Sequence, residues 1–294
     1  MQSKGTKAFE DDNDNLERSS FLSIEEDLHQ YTGLIYDGAF SENQSNFKGD
    51  GLTGEEINRE EAENKIRYFI GEDRIKEVSS NFENENGRII VYNFDIHLSN
   101  DSSTMISISK KGGHVVEMNN SREIGKSEIS EEEAVNRGKE FLDSKSIYNM
   151  KETYYMNNNN VLTVNYAYTQ NDVIIYPDLI KLKIALDNGE ILGFESTNYL
   201  NSHKENRELS SVNLPMEEAL KRVNPKIQVM GINLAIIPTE YNTEILCWEI
   251  KGKIKSEAND SEVENDFLVY INVNNGKEED ILLIVDTPNG TLTV

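Results

Sequence analysis

Only one of the 294 residues is a cysteine, Cys247, so no disulfide can form within the chain and a zinc site built on cysteine pairs is excluded. That usage suits the cytosol, and equally an extracytoplasmic protein that does without disulfides. No run of about 18 apolar residues occurs, which excludes a membrane-spanning helix in this sequence. The opening residues, Met1 to Lys7, lack the apolar stretch of a signal peptide. The sequence is therefore expected to be either cytosolic or a piece of something longer. Positive charge is in short supply, with 29 Lys and Arg against 53 Asp and Glu and a net charge of −24. That balance excludes nucleic acid as a partner, because phosphate binding needs a basic face. The acidity reads first as a well-solvated surface, with attraction to a basic partner as the sharper alternative.

Catalytic patterns are missing as well. His29, His97, His114 and His203 are scattered and form no H-E-x-x-H pair for zinc. No G-x-S-x-G nucleophile turn is present for a hydrolase triad. The Asp/Asn run from Asp11 to Asn15 invites a calcium loop, but Leu16 stands where the loop needs glycine and Leu22 where it needs glutamate. Carboxylates are too abundant for one pair to stand out as a glycosidase couple. No catalytic, metal or cofactor residue is assigned. Cys247, beside Trp248 within a strand-like run, reads as a small core residue, and Trp248 as core by its likeness of position to Tyr92.

The clearest positive signal is a hairpin from Tyr176 to Glu195. Ile180, Leu182, Ile184 and Leu186 alternate with polar or small residues, Asn188-Gly189 supplies the turn, and Ile191, Leu192 and Phe194 begin the return. A two-residue type I′ turn at Asn188-Gly189 is predicted. The pattern recurs on either side. Helices open at Asn58 with Glu61, at Ser130 with Glu133 (both at capping-box spacing), and at Pro215, and each carries Glu-Glu-Ala, ending at Ala62, Ala134 and Ala219. Gly71 stops the first helix and Pro225 cuts the third short. Middle strands follow at Ile89–Phe94, Val161–Tyr166 and Ile245–Ile250, then second strands at Met105–Ile108, Ile180–Leu186 and Phe267–Ile271. Glycine turns close the units at Gly112-Gly113, Asn188-Gly189 and Asn275-Gly276.

The shared alanine and the turn glycine stand 51, 55 and 57 residues apart in the three units. So regular a recurrence implies an α+β chain of three tandem domains, each a helix packed on an antiparallel meander. Residues 1–50 form an N-terminal segment, disordered to about residue 16 and then carrying one short helix capped by Ser23. The domains follow at 51–125, 126–206 and 207–294. Cores this small are expected to pack on one another, leaving a sheet edge or an inter-domain groove for a partner.

The order of Glu-Glu-Ala helix, strand, strand and Asp-Asn-Gly turn resembles the PepSY domain. With the leader Leu34-Ile35-Tyr36-Asp37-Gly38-Ala39-Phe40-Ser41-Glu42, the run Gly51–Glu56 and the stretch from Tyr176 through Tyr199-Leu200, the chain is similar to the C-terminal region of the YpeB family of spore-germination proteins. Unit one departs from the pattern, with Gly112-Gly113-His114 where unit two has Asp-Asn-Gly-Glu. The resemblance implies a membrane anchor upstream of this sequence and a place at the outer face of the inner spore membrane or in the cortex. It also implies a non-enzymatic partner of the cortex-lytic enzyme, a SleB-like peptidoglycan hydrolase, held, stabilised or restrained until germination. Cortex peptidoglycan is a second candidate partner. Alternatives are a peptidoglycan-binding or hydrolysing role and a propeptide-like peptidase inhibitor. The contact motif singled out is Tyr176-Pro177-Asp178, read structurally as a proline-stiffened strand entry and functionally as an exposed aromatic-acidic corner.

Overall fold

The computed structural model describes Phe40 and residues 47–86, 89–239, 243–258, 261–287 and 290–293. The expected N-terminal disorder and the helix after Ser23 lie outside the described residues. The chain divides at Ile35/Tyr36, and everything below belongs to the compact unit Tyr36–Val294.

The first repeat runs α1 (Arg59–Ile70), a single 3-10 turn (Glu72–Arg74), β1 (Ile75–Asn86), β2 (Ile89–Leu98), β3 (Ser103–Ser109) and β4 (Val115–Asn120). The second is α2 (Glu131–Ser144), β5 (Met150–Asn158), β6 (Val161–Gln170), β7 (Val173–Ala185) and β8 (Ile191–Glu195). A short helix, α3 (Thr197–Ser202), leads to the third repeat: α4 (Met216–Leu220), β9 (Gln228–Pro238), β10 (Glu244–Ala258), β11 (Ser261–Asn272), β12 (Glu278–Thr287) and β13 (Gly290–Thr293). The architecture is α+β, a helix on an antiparallel meander three times over.

Helix entry follows local chemistry. The Asn58 side chain accepts the Glu61 N–H at 3.0 Å while Glu61 accepts the Asn58 N–H at 2.8 Å, a complete capping box. Ser130 accepts the Glu133 N–H at 3.1 Å, but the Glu133 carboxylate turns to Arg137 at 2.6 Å instead. Pro215 offers no side-chain cap, and α4 is only five residues long. Gly71 ends α1 with a φ of 101°, a conformation that disfavours any side chain.

The helices bury a repeated alanine, Ala62, Ala134 and Ala219, each fully buried. Four residues on stand Ile66, Gly138 and Val223, all buried. Gly138 is forced by its neighbour: a Cβ there would overlap the Tyr166 hydroxyl and come within 2.8 Å of Ile184 Cδ1. Tyr166 fills that space and donates to the Val135 carbonyl at 2.7 Å.

Among the described residues all thirteen strands join one sheet, in the order β1-β2-β3-β4-β8-β7-β6-β5-β13-β12-β11-β10-β9. Repeats one and two fuse where β4 pairs antiparallel with β8, Met118 facing Phe194. Repeats two and three meet twice, at Gly290 opposite Met156 and where Val173–Ile175 of β7 run parallel to Leu234–Ile236 of β9. Those two contacts close β5, β6, β7 and β9–β13 into a ring. Side chains from five of its strands, among them Ala167, Tyr176, Ala235, Cys247 and Tyr270, form one buried cluster, and Phe40 packs against it. The Phe40 ring meets Tyr176 and Tyr270 edge-on, each at 5.3 Å. Burial pushes the Cys247 thiol up to about 12, the behaviour of a core residue.

Turn chemistry differs from expectation. Gly189 has a φ of 77° but Asn188 is not in the left-handed region. The connection is a longer loop in which the Gly189 N–H returns to the Ala185 carbonyl and the Ala185 N–H bonds the Glu190 carbonyl. The two-residue turns with positive φ at both positions lie elsewhere in repeat two, at Asn159-Asn160 (53° and 61°) and Asn171-Asp172 (52° and 63°). Asn and Asp are the residues after glycine that tolerate this conformation.

Candidate functional site

Tyr176-Pro177-Asp178 is not an exposed corner. It lies inside β7, where that strand passes from pairing with β8 to pairing with β9; Tyr176 is 4% exposed and Asp178 0%. Pro177 has no N–H to offer a ladder, so the break in pairing costs nothing there. The Tyr176 hydroxyl donates to Glu249 Oε2 at 2.5 Å, and Tyr270 and Asn233 donate to the same carboxylate at 3.1 and 3.2 Å. Burial, with the Glu249 charge beside it, drives the Tyr176 hydroxyl well above its ordinary range. Asp178 accepts from Arg207 Nη2 at 2.6 Å and from His203 Nδ1 at 3.0 Å. Arg207 also pairs with Glu244 at the start of β10. The motif is consumed within the chain, holding repeat three to repeat two. The reading as a partner-facing corner is corrected accordingly.

The Asp-Asn-Gly-Glu turn after β7 has a similar internal use. Arg122, in the connection from repeat one to repeat two, forks onto Asp187 at 2.6 and 2.8 Å and onto Glu190 at 2.6 Å, and Arg74 also meets Glu190. Arg122 holds the Asp187 carboxyl down to about 2, and the two carboxylates raise the guanidinium in turn.

Each turn glycine lies under a cation that sequence reasoning passed over, carried by the helix in repeats one and two and standing just after it in repeat three. A Cβ on Gly113, Gly189 or Gly276 would come within 2.5 Å of Lys65 Cδ, Arg137 Cδ or Arg222 Cζ respectively. Arg137 donates to the Asn188 carbonyl at 2.5 Å and Arg222 to the Gly276 carbonyl at 3.3 Å. The signal was available: all three cations stand three residues after the repeated alanine.

What faces outward is a groove between repeats one and two, of about 440 Å³. Helix α1 contributes Asn64, Lys65, Tyr68 and Phe69, the β3–β4 connection Gly113, His114 and Val115, and the segment just after α2 Lys145 and Ile147. Ile180, Phe194, Ser196, Tyr199 and Leu200 complete the lining. Phe69 packs edge-on against Phe194 at 5.3 Å and Phe141 at 5.5 Å, which welds the two repeats beneath it. Tyr68, by contrast, is 77% exposed.

Lys145, just beyond α2, sits among rings, its ammonium 5.1 Å from the centre of Phe69, 5.3 Å from Phe141 and 5.8 Å from Tyr68. Desolvation, with Arg74 nearby, lowers its pKa. His114 donates from Nε2 to the Thr53 carbonyl at 2.8 Å, tying the leader to the turn. Asp50 and Gly51 donate in turn to Asn201 and Leu200 of α3, each at 3.0 Å.

A helix laid on an antiparallel meander, repeated in tandem with a glycine turn closing each unit, is an architecture of PepSY type. The chain belongs to the YpeB family of sporulation proteins: the family of the YpeB sporulation PepSY1 and PepSY2 domains matches residues 18–210. Sporulation protein YpeB of Bacillus subtilis is 28% identical over 279 residues, covering 92% of this chain and 59% of that protein. Its counterpart in Halalkalibacterium halodurans is 32% identical over 176 residues, 60% of this chain and 37% of that one. The chain thus spans less than two thirds of the curated relatives' length. The solved Bacillus megaterium YpeB C-terminal domain superposes with a TM-score of 0.67 at 25% identity, covering 78% of this chain and 98% of that structure. The family match ends in the loop that carries Arg207, and repeat three, with the same helix-and-meander order, lies beyond it. Among the described residues no helix is long and apolar enough to cross a membrane.

Proposed function

We propose that this chain is the non-enzymatic recognition part of a sporulation protein, binding a SleB-like cortex-lytic hydrolase and holding or protecting it at the inner membrane or cortex until germination. Family membership supports the sporulation setting. The observation that carries binding is the groove between repeats one and two, where an exposed tyrosine and a ring-surrounded lysine stand over an apolar floor. Exposed aromatic residues beside a concave apolar surface are the usual anchors of protein interfaces.

The test is titration of the purified chain with the purified hydrolase at several ionic strengths. A saturable complex is expected, weakened about tenfold by Tyr68→Ala, a loss of about 1.4 kcal/mol, with unchanged melting. No association at any salt concentration would sink the reading. Release of muropeptides from cortex sacculi by this chain alone would replace it with an enzymatic one.

A further inference from the structure

The groove has an unusual charge. Fifty-three of the 294 residues are Asp or Glu, yet none of the residues lining the groove is acidic, while Lys65, His114 and Lys145 all are basic types. Several cations elsewhere on the described surface pair with carboxylates, as in Arg67–Glu63, Lys76–Asp101 and Lys204–Asp50. Lys145 is different. It is half-buried, faces three rings and has no carboxylate partner among the described residues. A cation held against ring faces keeps most of its charge available to an incoming anion, and a partly desolvated site strengthens that attraction.

We infer that the groove recognises an internal peptide segment of a protein partner in which an Asp or Glu side chain adjoins a bulky apolar one, the carboxylate meeting the Lys145 ammonium and the apolar group lying on the Phe69–Phe194 floor. This assignment rests on reading the groove as the docking site. Charge complementarity favours the carboxylate, and the apolar floor favours a peptide over a glycan, whose hydroxyls would be left without partners there. Lys65 and Tyr68 lie on one face of α1 with Phe69, one helical turn apart, so a second cation and a ring flank the same floor. Cations from two separate elements suit a segment that seats more than one residue.

The test uses the full chain and three capped peptides, Ac-Phe-Glu-Leu-NH2, Ac-Phe-Gln-Leu-NH2 and the free acid Ac-Phe-Gln-Leu-OH, followed by amide chemical shifts. The Glu peptide is expected to perturb residues 64–69, 113–115 and 145–147 and to bind at least tenfold more tightly than the Gln peptide. Lys145→Met should abolish that preference and Lys145→Arg should keep it, both with wild-type melting temperatures. Equal binding of Glu and Gln peptides, a preference that survives Lys145→Met, preference for the terminal carboxylate alone, or displacement of the Glu peptide by cortex muropeptides at lower concentration would each overturn the assignment. The hydrolase titration is read separately. If hydrolase binds but the Glu peptide shows no preference, the ligand assignment falls and the function stands; if the Glu peptide binds as described without any hydrolase complex, the reverse holds.

Discussion

Gly138 marks how tightly repeat two is built, because the room a side chain would need belongs to the Tyr166 ring. Alanine there would gain about 1 kcal/mol of helix propensity but overpack a fully buried contact, which costs about 1–3 kcal/mol. Gly138→Ala is therefore expected to destabilise by up to about 2 kcal/mol in urea unfolding. The double variant Gly138→Ala with Tyr166→Phe should recover part of that loss, since the overlap is chiefly with the hydroxyl; full additivity of the two single losses would refute the account. The same position explains a difference among repeats. In repeats one and three an aromatic on the middle strand reaches the carbonyl just ahead of the helix, Tyr92 to Ile57 at 3.2 Å and Trp248 to Leu214 at 2.9 Å. Repeat two has Val164 at that place and uses Tyr166 instead.

At the scale of the element, the Leu186–Glu190 turn behaves as a receptor for Arg122. Asp187 is held near 2 rather than its ordinary 3.8, so the folded state binds its proton less readily than the unfolded chain does. Its contribution to stability is complete above about pH 4 and is lost as pH falls towards about 2. Asp187→Asn should flatten that part of the acid-unfolding curve and leave the neutral-to-alkaline part parallel to wild type. Arg122→Ala, which strands two carboxylates at the junction of repeats one and two, is expected to cost about 3 kcal/mol at neutral pH.

Elements with local signals were the legible ones. Asn58 with Glu61, Gly71, and the alternation from Ile180 to Leu186 each announce themselves within a few residues, and the structure places a helix start, a helix stop and a strand there. The first strand of each repeat was not assigned, because β5 reads Met-Lys-Glu-Thr-Tyr-Tyr-Met-Asn-Asn and β9 includes exposed Val229 and Met230, without a clean alternation. Tyr176 and Asp178 were misplaced for a different reason. Their partners Glu249 and Arg207 are 73 and 29 residues away, and nothing local in an aromatic-proline-acid triplet reports such pairing. Lys145 carries no local signal, because the rings around it come from both α1 and α2 and meet it only in the fold.

For the molecule as a whole, repeat three is held by different means from repeat one. Repeats one and two share a sheet through β4 and β8 and an aromatic weld. Repeats two and three are joined by the parallel β7–β9 ladder and by the buried Asp178–Arg207–Glu244 group. Arg207→Met would leave Asp178 buried with only His203 for company, and is expected to destabilise by about 3–5 kcal/mol. Hydrogen exchange should show the loss first at Val173–Ile175 and Leu234–Ile236; protection there equal to wild type would contradict the role given to Arg207.

The parallel ladder also has a consequence for synthesis. Val173 waits for Leu234, 61 residues later in the chain. At about 5–20 residues per second a ribosome needs roughly 3–12 seconds to deliver that partner. Throughout that interval the nascent β7 presents Val173, Ile174 and Ile175 as an open strand edge, the kind of edge that captures neighbouring chains. A chain ending between repeats two and three would lack the strand that pairs with Val173–Ile175, so the third repeat is what covers this edge of the second.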